Sequence, residues 1–196
     1  GTTGECPTID FDEHTFLIKE AVSHIDGRIP VIAGTGANST KEAVFLTQSA
    51  KEAGADACLL VTPYYNKPNQ QGLFEHYKTI NDAVDIPQIL YNVPSRTGCD
   101  LDNETVISLS KLSNIIGIKE ASGDTSQISS LISNKPNDFL IISGDDESAY
   151  KSVLKGADGV ISVAAGCIPK QFSHVINLAL KKDKVNSEKY FDEINE

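Results

Sequence analysis

Six short apolar runs limit what this chain can fold into. They lie at 31–33, 58–62, 88–91, 115–119, 139–143 and 159–163. Each is apolar almost throughout and lacks the in/out alternation of a half-exposed strand. Strands covered on both faces read this way, which favours a parallel sheet. Each run is followed by a turn cluster and then, for most, by apolar residues at helical spacing. Strand starts fall roughly 20–30 residues apart, the size of one βα unit.

The helical segments carry start and stop signals. Ser39-x-x-Glu42 has the pattern of a capping box opening a helix that ends near Gly54. Leu73, Tyr77, Ile80 and Val84 keep helical spacing, and Val106, Leu109 and Leu112 do so after Asp102, a cap residue by type. Asp124-x-x-Gln127 opens another helix, which must stop before Pro136. Ala149, Val153 and Leu154 form a short stripe ending at Gly156. Pro169 suits the first turn of a helix carrying Phe172, Val175, Ile176 and Ala179.

Two α/β architectures fit six βα repeats: a doubly wound sheet and a (β/α)8 TIM barrel. A barrel takes about 250 residues and eight strands, and this chain has 196 residues. It contains no Met and opens on Gly1-Thr2-Thr3-Gly4-Glu5, which reads as the turn after a strand. The barrel reading therefore expects a truncated (β/α)8 barrel. Its first strand, most of its second and its C-terminal helices would be missing. Residues 1–168 would form the partial catalytic barrel, and 169–196 the start of a C-terminal helical region.

Composition narrows the partners. Seventeen Lys and Arg against 27 Asp and Glu give a formal charge of −10, which opposes binding to nucleic acid or an anionic membrane. No apolar run reaches the length of a membrane span and no signal peptide is visible, so a cytoplasmic location is expected. Cys6, Cys58, Cys99 and Cys167 are far apart in sequence, without C-x-x-C or His-Cys clusters. They read as reduced, mostly buried thiols and not as a zinc site or disulfide framework. His14, His24, His76 and His174 have no partner at ligand spacing. Gly34-x-Gly36 lacks the third glycine of a dinucleotide fingerprint, and Asp145-Asp146 alone is a weak metal signal. No metal or other cofactor is expected.

In both architectures chemistry collects at the C-terminal ends of the strands. Lys119 ends the run 115–119, so its stem leaves an apolar interior. An exposed lysine, with a pKa of about 10.4, is protonated and non-nucleophilic at neutral pH. Desolvation would lower that value and release an amine able to attack a ketone. The alternative is a solvated strand-end lysine paired with Glu120. Arg96 is one of two arginines, with Arg28. On a strand-end loop of an acidic chain it could clamp a carboxylate, or form a loop salt bridge. Tyr65 and Tyr91 could relay protons or pack at the barrel mouth. Thr2 and Thr3 could be turn residues.

Seven motifs in order carry a family resemblance: GTTGE at 1–5, GRIPVIAGTGAN at 27–38, VTPYYN at 61–66, ILYNVPSRTG at 89–98, IIGIKEASG at 115–123, SGDD at 143–146 and GVISV at 159–163. The chain resembles the dihydrodipicolinate synthases, pyruvate-condensing members of the N-acetylneuraminate lyase superfamily. The resemblance implies a (β/α)8 barrel that joins pyruvate to aspartate 4-semialdehyde on the way to lysine and diaminopimelate. It implies Lys119 as the Schiff-base lysine, with Tyr91, Thr2 and Tyr65 as a proton relay. It matches Arg96 to the semialdehyde carboxylate and Thr3 to the pyruvate carboxylate. Gly144 and Ile161 match positions lining the site with main-chain groups. Tyr65 would reach across a tight dimer into the neighbouring site, in a homotetramer built as a dimer of dimers. Many bacterial members are inhibited by lysine at that interface, where His14, Gly36, Asn38, Glu42 and Tyr64 match. Some of these carry a second histidine where this chain has Phe11. A sister aldolase for sialic acid or a keto-deoxy sugar acid would share Lys119 and Tyr91, but has no carboxylate for Arg96. A non-catalytic barrel binding pyruvate or lysine would not need the relay. A metal-dependent aldolase is the remaining alternative.

Overall fold

The computed structural model describes residues 1–195. The chain divides into two compact units, Gly1–Gly117 and Ile118–Glu196. In the first unit, 3-10 turns at Thr2–Gly4 and Cys6–Thr8 lead into α1 (Phe11–Ile25), β1 (Ile32–Gly34), α2 (Thr40–Glu52) and β2 (Ala57–Val61). Then come α3 (Gln70–Ala83), β3 (Gln88–Asn92), α4 (Pro94–Thr97) and α5 (Asn103–Leu109). Strand β4 (Ile115–Glu120) begins in the first unit and ends in the second. The second unit continues through α6 (Thr125–Asn134), β5 (Leu140–Ser143), α7 (Ala149–Lys155), β6 (Gly159–Val160), α8 (Pro169–Leu180) and α9 (Lys184–Asn195).

Strand order follows chain order within each unit, β1-β2-β3-β4 and β4-β5-β6. Parallel registers pair Gly34 with Leu59, Val61 with Tyr91 and Ser143 with Val160. The C-terminal ends of neighbouring strands therefore lie side by side, which is what groups the polar strand-end residues. Strands β2 and β3 are buried along their whole length, as their unbroken apolar runs require. Ile32 and Leu140, the residues that open β1 and β5, are exposed, so full coverage of every strand does not hold. Strand β6 pairs only over Gly159–Val160; Ile161 still donates its N–H to Ser143 O at 3.0 Å, after which the chain turns away.

The caps explain where helices begin. The Ser39 side chain accepts from Glu42 N at 3.4 Å, Asn69 from Gly72 N at 2.9 Å and Asp124 from Ser126 N at 2.7 Å, each satisfying an orphan first-turn N–H. Asp102 occupies the N-cap position of α5 without a side-chain cap bond, and α5 stops before Leu112. Two helices have no counterpart among the sequence expectations: α1 and α4. The first carried a legible signal, since Asp10 caps it by accepting from Glu13 N at 2.9 Å, with Asp12 and Glu13 at the positive end of the helix dipole. On α3 the buried stripe is Leu73, His76, Tyr77 and Ile80; on α8 it is Phe172, Val175 and Ala179.

The cysteines divide evenly. Cys58 and Cys99 are buried, Cys6 is half-buried and Cys167 is exposed, so "mostly buried" holds for two of the four. Burial pushes the Cys58 thiol up to about 11, against a hydrogen bond with Thr35, which leaves it an unreactive core group.

Candidate active site

In the first unit, residues from the opening turn and from the ends of β1, β2 and β3 carry the polar chemistry. Thr2 is half-buried and Thr3 exposed. The opening turn lies against β1: a Cβ on Gly34 would sit 3.2 Å from Gly1 N. His14 is buried with Nε2 2.8 Å from Gly34 O, so Nε2 donates and α1 is tied to the end of β1. Tyr91 is buried on β3, and its carbonyl accepts from Thr62 N at 2.9 Å.

Arg96 is exposed on α4, and the segment that carries it is held by hydrogen bonds on both sides. Asn92 is buried, donating from Nδ2 to Asp100 Oδ1 at 2.7 Å and accepting from Leu101 N at 3.1 Å. Thr97 Oγ1 donates to Cys99 O at 2.9 Å and accepts from Cys99 N at 3.2 Å, with Thr62 Oγ1 at 3.3 Å. Gly98, at φ 66, ends α4 in the left-handed region that glycine adopts without strain. The supporting roles of Asn92, Thr97 and Thr62 were not assigned from sequence. Their signal was weak: polar residues at strand ends in otherwise apolar motifs.

Tyr65 is 89% exposed. Its φ of 72° is a strained conformation for a bulky side chain. Its neighbour Tyr64 is half-buried. Burial first, then the negative charges of Glu42 and Cys6, raise the Tyr64 phenol, opposed by a backbone hydrogen bond with Asn38. The structure thus brings Tyr64, Glu42, Asn38 and Cys6 into one electrostatic neighbourhood. Asn66 Nδ2 ties the same turn to Asn38 O at 3.1 Å. His14 lies in a cavity of about 230 Å³ with Cys6, Ile18 and Gly34, whereas Glu42 lines another, of about 360 Å³, with Phe11 and Phe45. Gly36 has a packing reason to be glycine, because a Cβ there would meet Val61 N at 2.2 Å.

In the second unit, Lys119 is the penultimate residue of β4, with 7% of its surface exposed, which excludes the solvated strand-end lysine. Desolvation lowers its pKa, and the negative charge of Asp146 partly opposes that shift. Gly144 follows β5 and donates its N–H to Glu120 O at 2.7 Å. A Cβ on Gly144 would come 2.5 Å from Lys119 Cε and 2.8 Å from Ala121 Cβ. The glycine therefore makes the room in which the lysine stem lies. Ile161 is half-buried, and its N–H bonds Ser143 O, one residue before Gly144. The arrangement brings a buried amine against the main chain of Gly144. Such a site can form the neutral nucleophile that an exposed lysine cannot.

Asp145 Oδ2 accepts from Ser148 N at 3.0 Å and Ser148 Oγ at 2.6 Å. No group of three or more His, Cys, Asp or Glu suited to a metal occurs among the described residues. No helix among them is long and apolar enough to cross a membrane.

Parallel strands alternating with helices, with polar groups gathered at the strand ends, define an α/β protein of the kind that keeps its chemistry on that face. The chain belongs to the Dihydrodipicolinate synthetase family, whose profile matches residues 1–196. The 4-hydroxy-tetrahydrodipicolinate synthase of Pseudomonas putida (strain W619) is 56% identical over 181 residues, 92% of this chain and 62% of that protein. The synthase of Nitrosomonas eutropha (strain DSM 101675 / C91 / Nm57) is 54% identical over 183 residues, 93% of this chain and 63% of that protein. The chain thus spans less than two thirds of the length of these curated relatives. The crystal structure of the chloride inhibited dihydrodipicolinate synthase from Acinetobacter baumannii, complexed with pyruvate, superposes with a TM-score of 0.97 at 52% identity, covering 99% of this chain and 67% of that one.

Proposed function

We propose that the protein is a lyase that condenses pyruvate with L-aspartate 4-semialdehyde to 4-hydroxy-tetrahydrodipicolinate, in lysine and diaminopimelate biosynthesis. The observation that carries this reading is Lys119: a buried strand-end amine, shifted toward neutrality, in space left by Gly144. The relatives are named for the product and the Acinetobacter baumannii relative is complexed with pyruvate, which supports this reading.

Neutral Nζ attacks the keto carbon of pyruvate and water leaves, giving an iminium. That cation draws electrons from the adjacent methyl, so a proton is lost and an enamine forms. The enamine carbon then attacks the semialdehyde carbonyl, whose oxygen takes a proton to become the hydroxyl. The semialdehyde's amine attacks the regenerated iminium carbon, closing the ring as the bond to Lys119 Nζ breaks and the amine is freed. We assign the proton transfers to Tyr91, Thr2 and Tyr65. Phenols and hydroxyls both donate and accept, and the burial of Tyr91 suits it to a fixed relay position. Thr3, Gly144 and Ile161 would hold pyruvate, and Arg96 the semialdehyde carboxylate. The hydrogen bonds that hold the segment carrying Arg96 support that role, since a clamp gains from preorganisation.

The reading extends to the fold and assembly: a (β/α)8 barrel of which 1–168 is part and 169–196 opens a helical region, acting in the cytoplasm as a homotetramer. The exposed, strained Tyr65 supports a role at a subunit contact. Lysine would bind near Tyr64, Glu42, Asn38, Gly36 and His14, with Phe11 altering its grip.

A condensation assay with the native-length protein tests the proposal. Pyruvate and aspartate semialdehyde together are expected to be consumed one for one. Arg96→Ala should raise the KM for the semialdehyde by about tenfold or more, with pyruvate capture retained. No turnover with this pair, or equal loss of both substrates in the variant, would contradict the assignment.

A further inference from the structure

Asp146 connects two features of the second unit. Its Oδ2 accepts from Val163 N at 3.2 Å and Ala164 N at 2.9 Å, where the chain enters the 3-10 turn Ala164–Gly166 just beyond Ile161. Ser162 Oγ accepts from Ala165 N at 2.9 Å and closes the same turn independently. The second carboxylate oxygen, Oδ1, is buried and has no hydrogen-bond partner among the described residues. A shielded carboxylate oxygen without a donor is costly to keep, and a nearby cation would offset that cost. The charge of Asp146 acts on Lys119. Two other acids nearby have donors: Asp145 is bonded to Ser148, and Glu120 Oε1 accepts from Ser122 N at 2.6 Å.

We infer that Asp146 is a positioning residue for Lys119: one oxygen pins the segment after Ile161, and the carboxylate supplies the fixed negative charge that the Lys119 iminium needs. This rests on the Schiff-base reading above. In that step the Nζ lone pair forms the C–N bond while the carbonyl π pair moves to oxygen. A proton passes from nitrogen to oxygen, giving the neutral carbinolamine. A solvent-derived proton then converts the hydroxyl to water, the C–O bond breaks, and the nitrogen lone pair closes C=N. Amine, ketone and one proton become iminium and one water, so a neutral group has become a cation in a poorly hydrated place. A carboxylate already fixed nearby favours that product without reorganisation.

The test uses native-length protein, pyruvate and borohydride. It measures the pyruvate concentration that half-saturates the reduced adduct on the Lys119 peptide, alongside the melting temperature. Asp146→Asn keeps an oxygen for the Val163 and Ala164 amides but removes the charge. It is expected to raise that concentration about tenfold or more. Asp146→Glu, which keeps the charge, should retain more trapping than the Asn variant. Ser162→Ala, which loosens the turn alone, should trap like wild type. Wild-type trapping in Asp146→Asn, an equal loss in Ser162→Ala, or Glu performing no better than Asn would each overturn the inference while leaving the Schiff base intact. An unlabelled Lys119 in the wild type would instead defeat the Schiff-base reading, and this inference with it.

Discussion

Lys119 and His76 are both pushed toward neutrality by burial, with different consequences. For Lys119 the shift favours the neutral amine that the proposed chemistry uses. For His76 it yields a pH-dependent weakness. Its ring is 5% exposed, Nδ1 lies 2.9 Å from Thr40 Oγ1, and Nε2 has no partner among the described residues. Desolvation lowers its pKa from 6.5 to about 4. The unfolded chain thus binds a proton near pH 6.5 that the folded chain refuses until about pH 4. Between those values the unfolded state holds more protons, so stability falls as pH falls, by about 3 kcal/mol in total. His76→Gln should flatten this part of the pH dependence in urea unfolding between pH 7 and 4. A variant with the same slope as wild type would show that His76 does not titrate in this way.

At the scale of elements, the strands were legible because continuous apolar runs such as 58–62 and 88–91 are what burial on both faces demands. Helix starts at Ser39, Asp124 and Pro169 were legible because capping is local chemistry. The extent of β6 was not, since Val163 and Ala164 are held by Asp146, a contact 17 and 18 residues away in sequence. Lys119 could be singled out from its place at the end of an apolar run. The framework under Arg96 could not, because it rests on hydrogen bonds from Asn92 to Asp100 and from Thr62 to Thr97 that no pattern within one element reveals. Gly36 shows how a motif residue can have a packing cause. An alanine Cβ would collide with the backbone of β2 at Val61 N and Leu60 C, 2.2 and 2.9 Å away, and a central strand cannot move aside. Gly36→Ala is expected to cost about 3 kcal/mol. A change within about 0.5 kcal/mol in chemical denaturation would contradict this packing.

At the scale of the molecule, a chain of charge −10 with two arginines is proposed to handle two anionic substrates. Its means would be one placed guanidinium, strand-end hydroxyls and main-chain groups, where a basic surface would be the general solution. The family match runs over residues 1–196, and the proposed roles draw on both units: Thr2, Tyr65, Tyr91 and Arg96 in the first, Lys119, Gly144 and Ile161 in the second. The proposal turns on one covalent event, at Lys119. The most direct measurement is borohydride reduction of the native-length protein with pyruvate, followed by peptide mass mapping. The account predicts one added pyruvate-derived group, on the peptide containing Lys119 and absent from Lys119→Ala. An unmodified Lys119 peptide, or equal labelling of another lysine, would contradict it.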